Sequence, residues 1–338
     1  MLRSIKRWTA NALAWLGRLW PGARRKGGRF EAPRRRLVSR LLLTFRAYRL
    51  YLPEAAERGR PLPLLVMLHG CQQDAEAFAE GTRMNEIAER NDFIVLYPEQ
   101  SRTANSYGCW NWFHLAAQHG AGDAGAIARI VRRVAKRYPV DATRVYVAGM
   151  SAGGAMASVL SYSHGDLFAA CAVHSGLKHG AATSPATAVV AMRNGAPARE
   201  AFSPGVFVPT LVIHGNNDRT VNPVNAGQIV EQARLAAAGG GAATRPLLER
   251  PARRIVNGRR AYEQQDYASG GRVVLRRILI ENLDHAWSGG DGRHPFNDPE
   301  GPDASRLVWE FLRDFRRVPG QQSRGISRWR FWQWLRWR

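Results

Sequence analysis

An α/β fold is predicted for this chain, with a mostly parallel sheet covered by helices on both faces. Three observations lead there. Short β-branched runs recur through the middle of the sequence and stop abruptly at Gly, Pro or His-Gly, as buried strands do. Segments with apolar residues at helical spacing sit between several of them. One strand–turn–helix junction carries Gly149-Met150-Ser151-Ala152-Gly153, a serine among small residues. Strands that alternate with helices imply parallel pairing, because each crossover lays a helix on the sheet.

The elements follow in chain order. Leu43–Leu52 alternates as a strand and ends at Pro53. Leu64–Leu68 is an apolar run that stops at His69-Gly70, and Phe93–Tyr97 is another that stops at Pro98. Ala124–Tyr138 places Ile127, Ile130, Val131 and Val134 on one helical face. Val145–Ala148 runs into Gly149, Phe168–Val173 into His174-Ser175-Gly176, and Thr210–Ile213 into His214-Gly215. Asn225–Ala238 and Ser305–Phe315 have helical spacing, and Val273–Ile280 reads as the last strand. Residues 178–207, with scattered Pro, Gly and Ala, read as an insertion that could cap a site. Parallel sheets bind ligands at the carboxyl ends of their strands, so each strand end is a place to look for chemistry.

Composition narrows the classes. The 338 residues carry 49 Lys+Arg against 27 Asp+Glu, a net charge of +22. That total suggests nucleic acid or an anionic surface, but its distribution does not. Residues 1–50 hold 14 basic residues and one acid, and residues 316–338 hold seven basic residues and none. The body between them is close to neutral. Seven of the eleven Trp lie in the same two tails. On a helical wheel, residues 2–20 gather Leu2, Ile5, Trp8, Trp15, Leu16 and Leu19 opposite Arg3, Lys6, Arg7 and Arg18. That is the pattern of a helix lying at a water–apolar boundary. Residues 1–36 are thus read as a basic amphipathic tail and linker, 37–317 as the catalytic domain and 318–338 as a Trp/Arg-rich tail. Residues 1–20 and 328–338 are expected to meet a granule or an anionic membrane surface, and nucleic acid is not expected as a partner. Arg18 and Asn11 interrupt any signal-peptide core, so a cytoplasmic location is expected. No run of 18 apolar residues occurs. His and Cys are scattered without metal-ligand spacing, and no phosphate-binding glycine loop is present. No cofactor or metal is therefore called for.

The chemistry gathers at Ser151. A serine between small residues on a strand-to-helix turn can be held in a strained conformation with its hydroxyl exposed. A hydroxyl needs a base, and the base an orienting acid. In chain order the acid follows. Asp218, closing the strand that ends at His214-Gly215, is the sole carboxylate between Phe202 and Val230. The base comes last: His285 follows the final strand, with His294 as the alternative. An oxyanion needs two N–H donors. Ala152, after the nucleophile, supplies one. The other is sought at His69-Gly70-Cys71-Gln72, with Cys71 first and Gln72 second. His69 is assigned a bracing role in that loop.

At these residues the body resembles the poly(3-hydroxybutyrate) depolymerase family of esterases, a branch of the α/β-hydrolases. The stretches that carry the resemblance are LLVMLHGCQQDAEAFAEGTRMNEIAE, FIVLYPEQ, CWNWF, RVYVAGMSAGGAMASVL, DLFAACAVHSGL, HGNNDRTVNP, DHAWSGG and DPEGPDAS, running through roughly residues 45–315. The resemblance implies an α/β-hydrolase fold, Ser151 as nucleophile, Asp218 as acid, His285 as base, and Cys71 with Ala152 at the oxyanion hole. It implies hydrolysis of a polyester or small ester, with poly(3-hydroxybutyrate) or its oligomers first and a feruloyl or acetylxylan ester as the rival. From another class, a non-catalytic protein that binds an anionic surface or nucleic acid is the alternative. Trp287 is expected to line the acyl or alcohol pocket, and Trp110 and Gln72 to contact substrate. Asn216 stands where relatives often carry a second acid. A Cys71–Cys109 bridge is left open, since cytosolic reduction opposes one, and Cys171 reads as core.

Overall fold

The computed structural model describes residues 27–31, 47–197, 207–239, 247–256 and 260–317. The amphipathic segment 2–20 and the Trp329–Arg338 stretch lie outside the described residues. Within them, eleven strands form one sheet. They are β1 (Arg29–Glu31), β2 (Tyr48–Leu52), β3 (Leu62–Leu68), β4 (Ile94–Pro98), β5 (Val140–Met150), β6 (Ala170–His174), β7 (Thr210–Gly215), β8 (Leu248–Glu249), β9 (Arg253–Val256), β10 (Ala261–Ser269) and β11 (Arg272–Ile280). Their order is β1-β2-β4-β3-β5-β6-β7-β11-β10-β8, with β9 also paired to β10. The six strands from β4 through β11 in that order run parallel, and the pairs at both edges are antiparallel. Two short strands, β12 (Trp287–Ser288) and β13 (Asn297–Asp298), pair apart from it.

The helices are α1 (Ala75–Thr82), α2 (Met84–Asn91), α3 (Leu115–Gln118), α4 (Gly122–Arg137), α5 (Ala152–Ser163), α6 (Pro185–Asn194), α7 (Val224–Gly239) and α8 (Ala304–Leu312). Side chains alternate across a strand, so each central strand feeds two cores. Leu64, Val66 and Leu68 of β3 join Val145 and Val147 of β5, under α4, α5 and α7. Leu65 and Met67 join Tyr146, Ala148 and Met150, under α1, α2 and α8. Runs buried on both faces must be apolar at every position, which is why β3 is LPLLVML with all seven residues buried. Helices on both faces of a sheet that is parallel at its centre make the α/β-hydrolase fold.

Some elements differ from the sequence reading. Residues 1–36, taken as tail and linker, contain β1, which pairs antiparallel with β2. Strand β10 was not foreseen, because its centre is Glu263-Gln264-Gln265-Asp266. Those polar residues survive in a sheet by pairing: Asp266 accepts from Arg276 Nε at 2.6 Å and from Gln264 Nε2 at 3.0 Å. Helices α1 and α2 are short and separated by Arg83 at φ 54°, so neither shows a long apolar stripe. Asp74 caps α1 by accepting from Glu76 and Ala77 N–H. The described part of the insertion, residues 178–197, docks on α7. Asn225 Nδ2 donates to the Ala191 carbonyl at 3.1 Å, and Gln228 bonds both the N–H and the carbonyl of Ala196.

The strand order turns at β3. From there the chain goes outward to β4, then returns past β3 to β5. Loops leaving β3 and β5 therefore diverge and open a crevice between them, the usual place for a ligand in such sheets.

Candidate active site

Ser151 sits in that crevice, on the turn between β5 and α5. Its backbone has φ 57° and ψ −122°, a conformation that costs an L-residue on the order of 1–3 kcal/mol. The flanking glycines make the turn sterically feasible. A Cβ at Gly149 would strike the Gly153 carbonyl, and one at Gly153 would strike the carbonyls of Leu68 and His69. The turn is thus packed directly against the end of β3.

Asp218 follows β7 and His285 follows β11, so two strand ends carry them toward Ser151. His285 Nδ1 lies 2.7 Å from Asp218 Oδ2, and His285 Nε2 lies 2.9 Å from Ser151 Oγ. An ionised carboxylate can only accept, so Nδ1 carries the proton and Nε2 is left to accept from the serine. The other carboxylate oxygen, Oδ1, accepts from Thr220 N–H at 2.9 Å and Val221 N–H at 2.8 Å. Burial by itself would raise the Asp218 pKa. Hydrogen bonds from His214 and His285 outweigh it and hold the group well below the usual carboxylate range. The alternative base, His294, is elsewhere, 3.5 Å from Glu80 on α1. Asp284 takes a bond from Asn217 Nδ2 rather than from the imidazole. Asn216 accepts from Asn282 N–H at 2.7 Å and fastens the β11 exit loop to β7.

The loop after β3 meets the elbow. A Cβ built at Gly70 would lie 3.5 Å from Ser151 Cβ. Cys71 N–H and Ala152 N–H have no hydrogen-bond acceptor among the described residues, so both are open to an oxyanion. The second candidate, Gln72, is not: its N–H is committed to the Tyr107 carbonyl at 2.8 Å. The Gln72 side chain is exposed. Cys71 is joined to Cys109 by a disulfide, with Cα atoms 4.3 Å apart, which resolves the pairing the sequence left open. His69 braces the loop. Its Nδ1 donates to the Gly70 carbonyl and its Nε2 accepts from Gln100 N–H. That arrangement needs a neutral ring, and burial pushes His69 down to about 4.

Two residues expected to contact substrate are buried. Trp110 is 0% exposed and its Nε1 donates to the His69 carbonyl. Trp287 is 1% exposed, stacks on His174 at 4.9 Å and donates to Ser305 Oγ. Both are walls beneath the site rather than its lining, because an indole that fills a core void and satisfies its N–H there is not free to meet substrate. Two histidines have supporting roles that the sequence reading did not assign. His214, fully buried, has Nε2 at 3.3 Å from Asp218 Oδ2 and donates to the Val221 carbonyl at 2.8 Å. His174, pushed down to about 3 by burial, accepts from Ser288 N–H and so anchors the loop that bears His285. Their only signal in the sequence is a His at a strand end.

Comparison with known proteins agrees with this architecture. Over 182 residues the chain is 35% identical to a poly(3-hydroxyalkanoate) depolymerase C of Paucimonas lemoignei, covering 50% of this chain and 44% of that one. Over 127 residues it is 37% identical to a feruloyl esterase B of Neurospora crassa, covering 37% and 42%. The chain thus spans less than half the length of these two relatives. Among solved structures, an acetyl xylan esterase from Aspergillus awamori superposes with a TM-score of 0.59 at 19% identity, over 80% of this chain and 94% of that one, which is a likeness of fold. The family model described as esterase PHB depolymerase matches residues 46–246, well over half of the sequence, and the chain belongs to that family.

Proposed function

We propose that this protein is a serine carboxylesterase that works through an acyl-enzyme. The observation that carries the reading is the continuous relay Ser151–His285–Asp218 beside two unbonded N–H groups. In the first half-reaction Ser151 Oγ attacks the ester carbonyl while His285 Nε2 takes its proton. Asp218 holds the imidazole in the required tautomer and stabilises the imidazolium. Cys71 and Ala152 N–H bind the oxyanion, and His285 returns the proton to the departing alcohol. Water, deprotonated by His285, then attacks the acyl-enzyme and releases the acid, with Ser151 restored.

The substrate proposed is a short-chain hydroxyalkanoate ester, poly(3-hydroxybutyrate) or its oligomers. Family membership and the depolymerase relative support it. The feruloyl esterase relative keeps an aromatic ester as the second reading. The Cys71–Cys109 bridge favours an oxidising compartment over the cytoplasmic location expected from the sequence. Turnover of hydroxybutyrate oligomers, amorphous polymer and feruloyl esters, with Ser151→Ala as control, is the test. Ser151→Ala should lose on the order of 10³-fold or more in kcat, and the oligomers should give the highest kcat/KM. A Ser151→Ala protein with near-native turnover would end the triad assignment, and preference for the feruloyl ester would end the substrate assignment.

A further inference from the structure

One segment, residues 100–111, makes four ties to the loop bearing the Cys71 donor. Four attachments converge on residues 69–72. Gln100 N–H donates to His69 Nε2 at 3.1 Å. Trp110 Nε1 donates to the His69 carbonyl at 3.1 Å. Gln72 N–H donates to the Tyr107 carbonyl at 2.8 Å. Cys109 is bonded to Cys71. The segment itself is tied from behind by buried polar side chains. Gln100 Nε2 donates to the Cys109 carbonyl at 2.9 Å and to Asp123 Oδ2 at 2.6 Å, and Asn111 N–H donates to the same Asp123 oxygen at 2.9 Å. Gln100 and Asp123 are both buried. Asp123 lies in the first turn of α4. A rigid helix is thus linked to both ends of the segment, and the segment to the loop.

We propose that Gln100 and Asp123 are positioning residues for the oxyanion donor, acting through segment 100–111 as a clasp on Cys71. This rests on the esterase reading above. Neither side chain touches the reacting atoms. Their work is to fix where the Cys71 N–H points, and an oxyanion donor counts only when it is in place before charge develops. A misplacement of about 1 Å can cost on the order of 10²-fold. The bonds from Gln100 and Asn111 both reach Asp123 at Oδ2, so an amide oxygen in the same place can accept them.

The test uses the full chain, a soluble short-chain p-nitrophenyl ester, and a fluorophosphonate that labels the active serine. Gln100→Ala and Asp123→Ala should lower kcat about 10- to 100-fold with KM changed less than about threefold. Phosphonylation of Ser151 should slow in parallel, because that step also develops charge on an oxygen in the hole. Asp123→Asn should restore kcat to within about threefold of wild type. Rates are referred to folded protein, counted by circular dichroism and thermal midpoint. A folded Gln100→Ala with native kcat, or losses in kcat that only track the loss of folded protein, would overturn the proposal. So would an Asp123→Asn as slow as Asp123→Ala. Absence of labelling at Ser151 in the wild type would instead overturn the esterase reading, and the clasp's role with it.

Discussion

Opening the Cys71–Cys109 bridge should cost a large fraction of the stability of this fold, and the size can be worked from its span. The two cysteines are 38 residues apart. Closing a loop of that length removes on the order of 13 cal/mol/K from the unfolded chain, or about 4 kcal/mol at 25 °C. A domain of ordinary stability has only about 5–15 kcal/mol in all. With a urea m-value of about 3 kcal/mol/M, the paired Cys71→Ser, Cys109→Ser substitution should lower the unfolding midpoint by about 1.3 M. Equilibrium urea unfolding followed by tryptophan fluorescence is the assay. A thiol titration under the same conditions checks the premise. Unfolded but unreduced protein should show one reactive thiol, Cys171, which is buried in the folded state. A midpoint unchanged to within about 0.3 M would refute the entropic reasoning, and three reactive thiols would refute the bridge.

Two further outcomes follow from the packing and the buried groups. Gly153→Ala would drive a methyl into the Leu68 and His69 carbonyls. Because those are backbone atoms at the end of β3, relief must displace the loop that bears Cys71. We expect a loss of about 1–3 kcal/mol or more together with a drop in kcat, whereas Gly227→Ala, inside helix α7 with nothing within 4 Å, should leave kcat unchanged and raise stability by about 0.5–1 kcal/mol; equal midpoints for the two variants in thermal unfolding would contradict the geometry. His69 and His174 are pushed by burial to about 4 and about 3, so between about pH 6.5 and those values the unfolded chain binds protons that the folded chain refuses. Stability should therefore decline as pH falls from about 6.5 toward 4, by a few kcal/mol, while the loss from the depressed Asp218 carboxylate belongs to the range below about pH 4. Urea midpoints that stay flat from pH 7 to pH 4 would sink this account.

Much of the molecule was legible because its logic is local. The apolar runs ending at Gly70, Pro98, Gly149 and Gly215 are strands in the structure, and a strand buried on both faces leaves no other pattern. Chain order, the lone carboxylate after one strand and the loop after the last strand pointed to Asp218 and His285, and the structure brings them and Ser151 within hydrogen-bond reach. Strand β10 was illegible for the opposite reason. Its buried Gln265 and Asp266 are tolerated through Arg250 and Arg276, partners that the sequence does not place beside them.

The sequence by itself determined the order of the central parallel strands, the elbow at Ser151 and the residue types that can act there, since each follows from periodicity, glycine placement or spacing along the chain. Tertiary structure decided what depends on neighbours distant in sequence. Trp110 and Trp287 are apolar and aromatic whether they line a pocket or fill a core, and only their burial and their N–H partners show the latter. Cys71 and Gln72 are adjacent and equally able to donate, and only the Tyr107 carbonyl withdraws one of them. His214 reads as a strand end until Asp218 Oδ2 appears at 3.3 Å. A hydrogen bond is a relation between two places, and one place alone cannot announce it.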